Sequence, residues 1–241
     1  MRRLWISDVH ANYPAFEAVL SAAGTFDEIV FLGDVVGYGP HPRECVHKLM
    51  DLNAKAVMGN HDSAVLAVGT KSAHPDSHIE WDTWTYAQLE DTQLDYLASL
   101  PEQICVNFSG TPALAMHHPN GVPYTHPSMS DSVLAKCLKP FSHRLMICGH
   151  SHRAIDRIVD GHRYICIPPI GQPRNRDPRA AYALEDEGAL SFHYVEYDLE
   201  RTASDIRSIG LPDAFCERWI RFLRTAYDSE WSREYYHDSK L

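Results

Sequence analysis

The chain has 241 residues, with 22 Lys and Arg against 32 Asp and Glu and a net charge of −10, a size that suits one large domain or two small ones with a substantial core. At 44% hydrophobic and 22% charged residues it is an ordinary globular composition, which excludes a disordered or fibrous chain. The negative balance argues against a nucleic-acid polymer as the main partner, because its backbone calls for a basic face.

Residues 3–7 read as a short apolar strand that stops at Asp8. Asn12 then suits an N-cap, with Pro14 in the first helical turn and Phe16, Val19, Leu20 and Ala23 as an apolar stripe ended by Gly24. Residues 28–32 form a second strand closed by Gly33-Asp34, 42–52 a second helix, and 54–58 a third strand closed by Gly59-Asn60. Two such βαβ units imply parallel strands joined by right-handed crossovers. The stretch 63–100 is helical in pattern, and its aromatic stripe (Trp81, Trp84, Tyr86, Tyr96) reads as core.

Residues 103–108 and 113–116 read as a hairpin or adjacent strands, followed by a helix near 130–138 and a strand at 144–148 ending in Gly149. The last third turns antiparallel. Strands 155–159 and 163–167 flank Asp160-Gly161, a hairpin signal, and 181–185 and 190–197 flank a turn containing Gly188. Helices near 202–209 and 213–224 follow. The tail beyond Tyr227 carries Trp231, Tyr235 and Tyr236 without clear periodicity, and leaves a homo-oligomer contact open. The simplest account is one α/β domain over 1–241, with a helical excursion at about 63–100 and a helical tail from about 202.

Residues 1–12 lack the apolar segment of a secretory signal, and no run of about 18 apolar residues occurs. The six cysteines are scattered without a C-x-x-C pair, so reduced, mostly buried thiols and a cytoplasmic protein with no membrane partner are expected.

The fifteen histidines are the unusual count in an acidic chain, and several sit in polar clusters placed directly after the expected strands. In chain order these are Asp8-x-His10, Gly33-Asp34, Gly59-Asn60-His61-Asp62, His117, and Gly149-His150-Ser151-His152. Open α/β sheets place ligands at the C-terminal ends of strands. Asp8 and Asp34, and Asp34 and Asn60, are each 26 residues apart, about one βα repeat, so their side chains can converge on one edge. The ordered set reads as a metal site.

SDVHAN, GDVVGYGP, GNHD, the His117 strand end and CGHSHRA together resemble the calcineurin-like metallophosphoesterases, over most of the chain from Leu4 to about Leu211. The resemblance is closest to the small prokaryotic phosphodiesterase or phosphatase type, which continues with a GQPR-type segment, here Gly171-Gln172-Pro173-Arg174. It implies a four-layer α-β-β-α sandwich with mixed sheets and two divalent transition-metal ions (Mn, Fe, Co, Ni or Zn). It places Asp8, His10 and His152 on one ion, Asp34 as the bridge, and Asn60, His117 and His150 on the other. Carboxylate, imidazole and amide oxygen suit such ions. A bridging carboxylate holds two cations about 3.5–4 Å apart, where they share a hydroxide that attacks phosphorus in line. Two such ions with two carboxylates and one hydroxide carry about +1, so an anionic substrate is compatible with an acidic protein.

His61 is then left to face the substrate and assist the leaving group, with Asp62 orienting its ring and favouring the protonated form. An N-cap role is the other reading of Asp62. The chain departs from the family in two places. His117-His118-Pro119 replaces the common His-Gly, so His118 either contacts the phosphate or is a substituted loop residue. Cys166-Ile167-Pro168-Pro169-Ile170 occupies the place of an Asn-Pro-Gly-Ser segment. Arg174, Arg176 and Arg179 either clamp a second phosphate or a nucleotide or sit in a turn paired to Asp177, and Tyr38 either stacks on a base or packs its loop. His74 and His78 read as surface residues. The function expected is dinuclear-metal hydrolysis of small phosphate esters such as nucleotides or dinucleoside polyphosphates. The alternatives are a protein serine/threonine phosphatase and a non-catalytic scaffold.

Overall fold

In the computed structural model, which describes residues 1–72, 74, 78–119, 124–229 and 232, the first half of the chain runs β1 (Arg2–Ile6), α1 (Tyr13–Ala23), β2 (Glu28–Phe31), α2 (Pro42–Asp51), β3 (Lys55–Ala56), α3 (Asn60–Thr70), α4 (Ile79–Gln88) and α5 (Asp91–Ser99). It continues with β4 (Gln103–Phe108), β5 (Thr111–Met116), α6 (Asp131–Leu138), β6 (Leu145–Cys148), β7 (Ile155–Val159) and β8 (His162–Cys166). The last elements are β9 (Ala180–Asp186), β10 (Ala189–Val195), α7 (Leu199–Ser208) and α8 (Asp213–Thr225). Trp231, Tyr235 and Tyr236 lie outside the described residues.

Strand alternation builds the layers. Successive side chains of a strand face opposite ways, and here both faces are apolar. Leu4, Ile6, Ile29 and Phe31 turn onto Phe16 and Val19 of α1 and Val46 and Leu49 of α2. Trp5 and Val30 turn the other way, where they meet Ala113, Ala115, Leu145, Ile147 and Ile165 from the second sheet. The alternate residues of that sheet, Leu114, Met116, Met146 and Tyr164, pack under Val133, Leu134 and Leu138 of α6. The result is a four-layer α-β-β-α sandwich. One sheet has the order β10-β9-β1-β2-β3 and the other β4-β5-β6-β8-β7, and both are mixed. β1, β2 and β3 are parallel, as are β5, β6 and β8, with antiparallel strands completing each sheet.

Two boundaries differ from the sequence reading. The third strand was expected over 54–58, yet only Lys55–Ala56 pairs with β2. It is the sheet edge, and the Met58 amide leaves the ladder to donate to the Pro101 carbonyl at 2.9 Å. In addition, α3 starts at Asn60, with Gly59 as its N-cap, so Asn60 and His61 stand in a helical first turn and not in a loop. Five of the six cysteines are buried, Cys105 is exposed, and none is bonded to another. No helix among the described residues is long and apolar enough to cross a membrane.

The far end of the sandwich is held by a buried polar knot. Glu185 Oε2 accepts from Arg3 Nη1 at 2.5 Å and from Trp5 Nε1 at 3.1 Å, while Arg3 Nε donates to Glu28 at 2.6 Å. Arg3 and Glu185 are 3% and 2% exposed, so removing one partner strands a buried charge. Glu185→Ala is expected to destabilise the fold by about 3 kcal/mol, since Glu28 still holds one side of the guanidinium. Urea unfolding would read this as a lower midpoint with an unchanged slope.

Candidate metal centre

The loops leaving β1 and β2 run side by side beyond the sheet. Asp8 N donates to Gly33 O at 3.0 Å, His10 N to Asp34 O at 3.0 Å, and Ala11 N to Val35 O at 2.9 Å. The second sheet adds its own pair of strand ends, with Gly149 N donating to His117 O at 3.1 Å. His150 N then donates to Asp8 Oδ2 at 3.1 Å, which ties the two sheets together at the site. This crossing requires Gly149, because a Cβ there would lie 1.9 Å from Ser7 Oγ. Gly33 is needed twice over, with φ of +91° and a Cβ position 2.8 Å from His117 Nδ1. Asp8, His10, Asp34, His150 and His152 all have positive φ, between 47° and 65°. Such backbone costs roughly 1–3 kcal/mol per residue and persists where surrounding structure enforces it, typically at functional sites.

The side chains converge in two groups. In the first, Asp8 Oδ1 lies 3.1 Å from His152 Nε2 and 3.8 Å from His10 Nε2, and the two ring nitrogens face each other at 3.3 Å. In the second, His117 Nε2 lies 2.8 Å from Asn60 Oδ1 and 3.3 Å from His150 Nδ1, which is itself 2.9 Å from Asn60 Oδ1. Asp34 stands between them. Its Oδ2 is 3.2 Å from His117 Nε2 and 3.8 Å from His10 Nε2, while its Oδ1 accepts the His61 amide at 2.8 Å. All seven residues expected as ligands are therefore brought together, with one Asp34 oxygen common to both groups.

The donor chemistry fits divalent cations. Asp8 Oδ1 and Asp34 Oδ2 are buried and find no hydrogen-bond partner among the described residues, which is costly unless something else satisfies them. His117 Nδ1 donates to Leu32 O and His152 Nδ1 to Gln172 O, each at 2.6 Å. In the neutral rings this leaves Nε2 with the lone pair, the tautomer a metal needs. Burial pushes His10, His150 and His152 below the ordinary imidazole range. Burial alone would raise Asp34, but His117, His61 and His10 hold it well below the usual carboxylate range. His117 behaves oppositely. Against burial, Asp34 and Asp8 push it up to about 10. The groups Asp8, His10, His152 and Asp8, Asp34, His117 each gather ligand atoms within 4.8 Å, a spacing that ligands of one ion can share.

Asp62 is a correction. Its carboxylate does not orient the His61 ring. Oδ2 accepts from the amides of Asp34 and Gly59, each at 2.9 Å, and Oδ1 from those of Val35 and Val36 at 2.9 and 3.2 Å. Asp62 thus shapes the loop that carries Asp34 and caps the first turn of α3. Burial and the nearby Asp34 raise it to about 7, against the pull of those amides. The expected protonated state of His61 also fails to appear. Burial lowers the ring to about 4, with Asp34 opposing, so at neutral pH it is a neutral imidazole.

Around His61 stands an aromatic cluster that the sequence did not signal. Tyr38 packs against His61 at a centroid distance of 4.7 Å, against His10 at 5.4 Å and against Trp219 of α8 at 4.8 Å. Only 7% exposed, Tyr38 packs its loop and is not open for a base to stack on it. His78, read as a surface residue, lies 5.1 Å from Tyr38 and 6.4 Å from His61. Of Arg174, Arg176 and Arg179, the first lies beside the site. It donates to Gln172 Oε1 at 2.6 Å and depresses His61 and His152 behind the larger effect of burial. Arg176 covers the Tyr227 ring at 3.9 Å, and Arg179 pairs with Asp177. The His118 ring packs against that of His150 at a centroid distance of 4.2 Å, tilted by 35°. A further support escaped the sequence reading: Thr125 Oγ1 bridges the Ser151 hydroxyl and the Tyr164 hydroxyl, holding the turn between His150 and His152.

Comparison with known proteins agrees with this geometry. The calcineurin-like phosphoesterase superfamily domain matches residues 1–188. An uncharacterized protein of Methanocaldococcus jannaschii is 31% identical over 237 residues, covering 88% of this chain and 95% of that one. The crystal structure of a metallophosphoesterase from Sphaerobacter thermophilus superposes with a TM-score of 0.76 at 34% identity, covering 94% of this chain and 99% of that one. A symmetrical bis(5'-nucleosyl)-tetraphosphatase of Haemophilus ducreyi is 33% identical over 82 residues, 31% of this chain and 30% of that enzyme. Fold, strand-end residues and these similarities agree, and the chain belongs to the calcineurin-like phosphoesterase superfamily.

Proposed function

We propose that the protein is a metal-dependent hydrolase of small phosphate esters, holding two divalent ions on the seven converging residues. The observation that carries this reading is the single Asp34 oxygen common to two lone-pair clusters, itself buried and with no hydrogen-bond partner among the described residues. Asp8, His10 and His152 would hold one ion and Asn60, His117 and His150 the other, with Asp34 bridging. Bound there, the ions would supply Lewis-acid charge on phosphoryl oxygens and an activated water. The donor set, imidazole, carboxylate and amide without thiolate, suits Mn, Fe, Co, Ni or Zn.

The chain's own residues do the rest. The neutral His61 ring offers one N–H to a substrate oxygen, and a dianionic phosphate beside it would favour a second proton on the ring. Arg174 adds fixed positive charge near His61 and His152, where a phosphate would need it. Packed against His150, His118 is placed to contact a substrate on the other ion. The similarity to a bis(5'-nucleosyl)-tetraphosphatase makes nucleotides reasonable first substrates.

The test is a metal-reconstituted panel of bis(p-nitrophenyl) phosphate, p-nitrophenyl phosphate, diadenosine tetraphosphate and a phosphopeptide. Turnover of at least one small ester with Mn, Co, Ni or Zn is expected. Turnover of the phosphopeptide alone would favour a protein phosphatase, and none at all would leave a scaffold.

A further inference from the structure

After β8 the chain crosses from the end of the second sheet to that of the first. Ile167 N donates to Cys148 O at 2.8 Å, Ile170 N to Ser7 O at 3.0 Å and Gly171 N to Asp8 O at 2.9 Å. Gly171 has to be glycine for this approach, since a Cβ there would lie 1.9 Å from Val9 O. The crossing delivers Gln172, only 1% exposed, to the first cluster. Its main-chain carbonyl accepts from His152 Nδ1 and its side-chain Oε1 from Arg174 Nη2, each at 2.6 Å. One buried residue therefore holds both a histidine of the cluster and the cation beside it, and Pro173, with its fixed φ, joins residues 172 and 174. The Arg174 charge acts on His61 and His152 behind the larger effect of burial. His10 lies between those two rings, at centroid distances of 5.2 Å from His61 and 5.0 Å from His152.

We propose that Gln172 is a positioning residue for phosphate: its side-chain oxygen fixes the Arg174 guanidinium beside the Asp8, His10 and His152 cluster, where the guanidinium binds a phosphoryl oxygen. The inference rests on the hydrolase reading above and deepens it. A long arginine side chain loses rotamer freedom when it binds, and a partner that orders it beforehand removes that cost from the binding step. The chemistry of the partner matters as much as its place. A carboxylate at position 172 would pair with the guanidinium and offset its charge, whereas an amide oxygen orients it and leaves the charge for an incoming anion. Gln172 thus acts through Arg174, while its main chain serves His152 whatever side chain it carries.

The test is a double-mutant cycle on the Mn-loaded, gel-filtered full chain, read by calorimetric binding of inorganic phosphate and by hydrolysis of p-nitrophenyl phosphate. Gln172→Met conserves volume and removes the acceptor. It should keep the metal content of the parent chain and weaken phosphate binding about tenfold, the scale of one hydrogen bond to a charged group. The loss in hydrolysis should fall mainly in KM. On an Arg174→Met background the same substitution should change phosphate affinity by less than about twofold, because the group it acts through is gone. Gln172→Glu, which keeps an acceptor and adds a charge, should bind phosphate no better than Gln172→Met. Unchanged phosphate affinity in Gln172→Met, a full further loss on the Arg174→Met background, or loss of metal with Gln172→Met overturns the positioning role. So does parent-like phosphate affinity in Gln172→Glu. If the phosphate cycle holds and no ester is turned over, the hydrolase reading fails and the positioning of Arg174 stands.

Discussion

Asp34→Asn should leave a folded protein that no longer retains two metal ions. The substitution keeps the side chain's shape, and the amide oxygen can still accept the His61 N–H that now holds Asp34 Oδ1 at 2.8 Å. What it removes is the charge on Oδ2, the atom 3.2 Å from His117 Nε2 and 3.8 Å from His10 Nε2. An amide offers one oxygen and cannot serve both the helix amide and two cations. Loss of one anionic ligand from both clusters should bring metal content, measured by mass spectrometry after gel filtration, below one equivalent. Ester hydrolysis should drop by about 10³-fold or more, the several kcal/mol that such ions contribute to transition-state charge. Two full equivalents in the purified variant would refute the bridging role. Asp62→Asn is the useful contrast. It weakens four amide contacts behind the Asp34 loop, so it should lower stability as well as metal content.

The converging residues were legible because each follows an apolar strand, and a strand that ends in Asp, Asn or His places that residue at a sheet edge. That inference needs only the local pattern. The roles of Asp62 and Tyr38 depend instead on partners distant in sequence. Asp62 looks like a partner for its neighbour His61, but it binds amides 26 to 28 residues earlier in the chain, and nothing in GNHD encodes where those amides arrive. Tyr38 lies in a short loop, yet its ring meets Trp219 of a helix nearly two hundred residues away. Amphipathic spacing placed Trp81 in a core without saying that Trp219 and Ile220 would complete that core beside the site. The third strand failed at a similar limit: Ala54–Met58 is apolar enough for five paired residues, but an edge strand has one neighbour, and Met58 finds its acceptor in Pro101 instead.

His61→Ala separates the chemistry from the metal shell. The His61 ring belongs to neither group of converging ligand atoms, and the contact through which residue 61 holds Asp34 is made by its backbone N–H, which alanine keeps. The variant should bind as much metal as the parent chain. Its kcat should fall about 10²–10⁴-fold, the usual contribution of a positioned proton donor. The size of the loss should depend on the leaving group. A p-nitrophenolate departs readily without help, whereas an alkoxide needs a proton as the bond breaks. Alkyl phosphates should therefore lose far more than p-nitrophenyl phosphate if His61 serves the leaving oxygen. Equal losses on both esters would place its N–H on a non-bridging phosphoryl oxygen, and loss of metal along with activity would return His61 to the ligand shell. Trp219→Leu should produce a weaker version of the same leaving-group dependence, because Tyr38 stacks on Trp219 and packs at an angle against the His61 ring, fixing where that ring points.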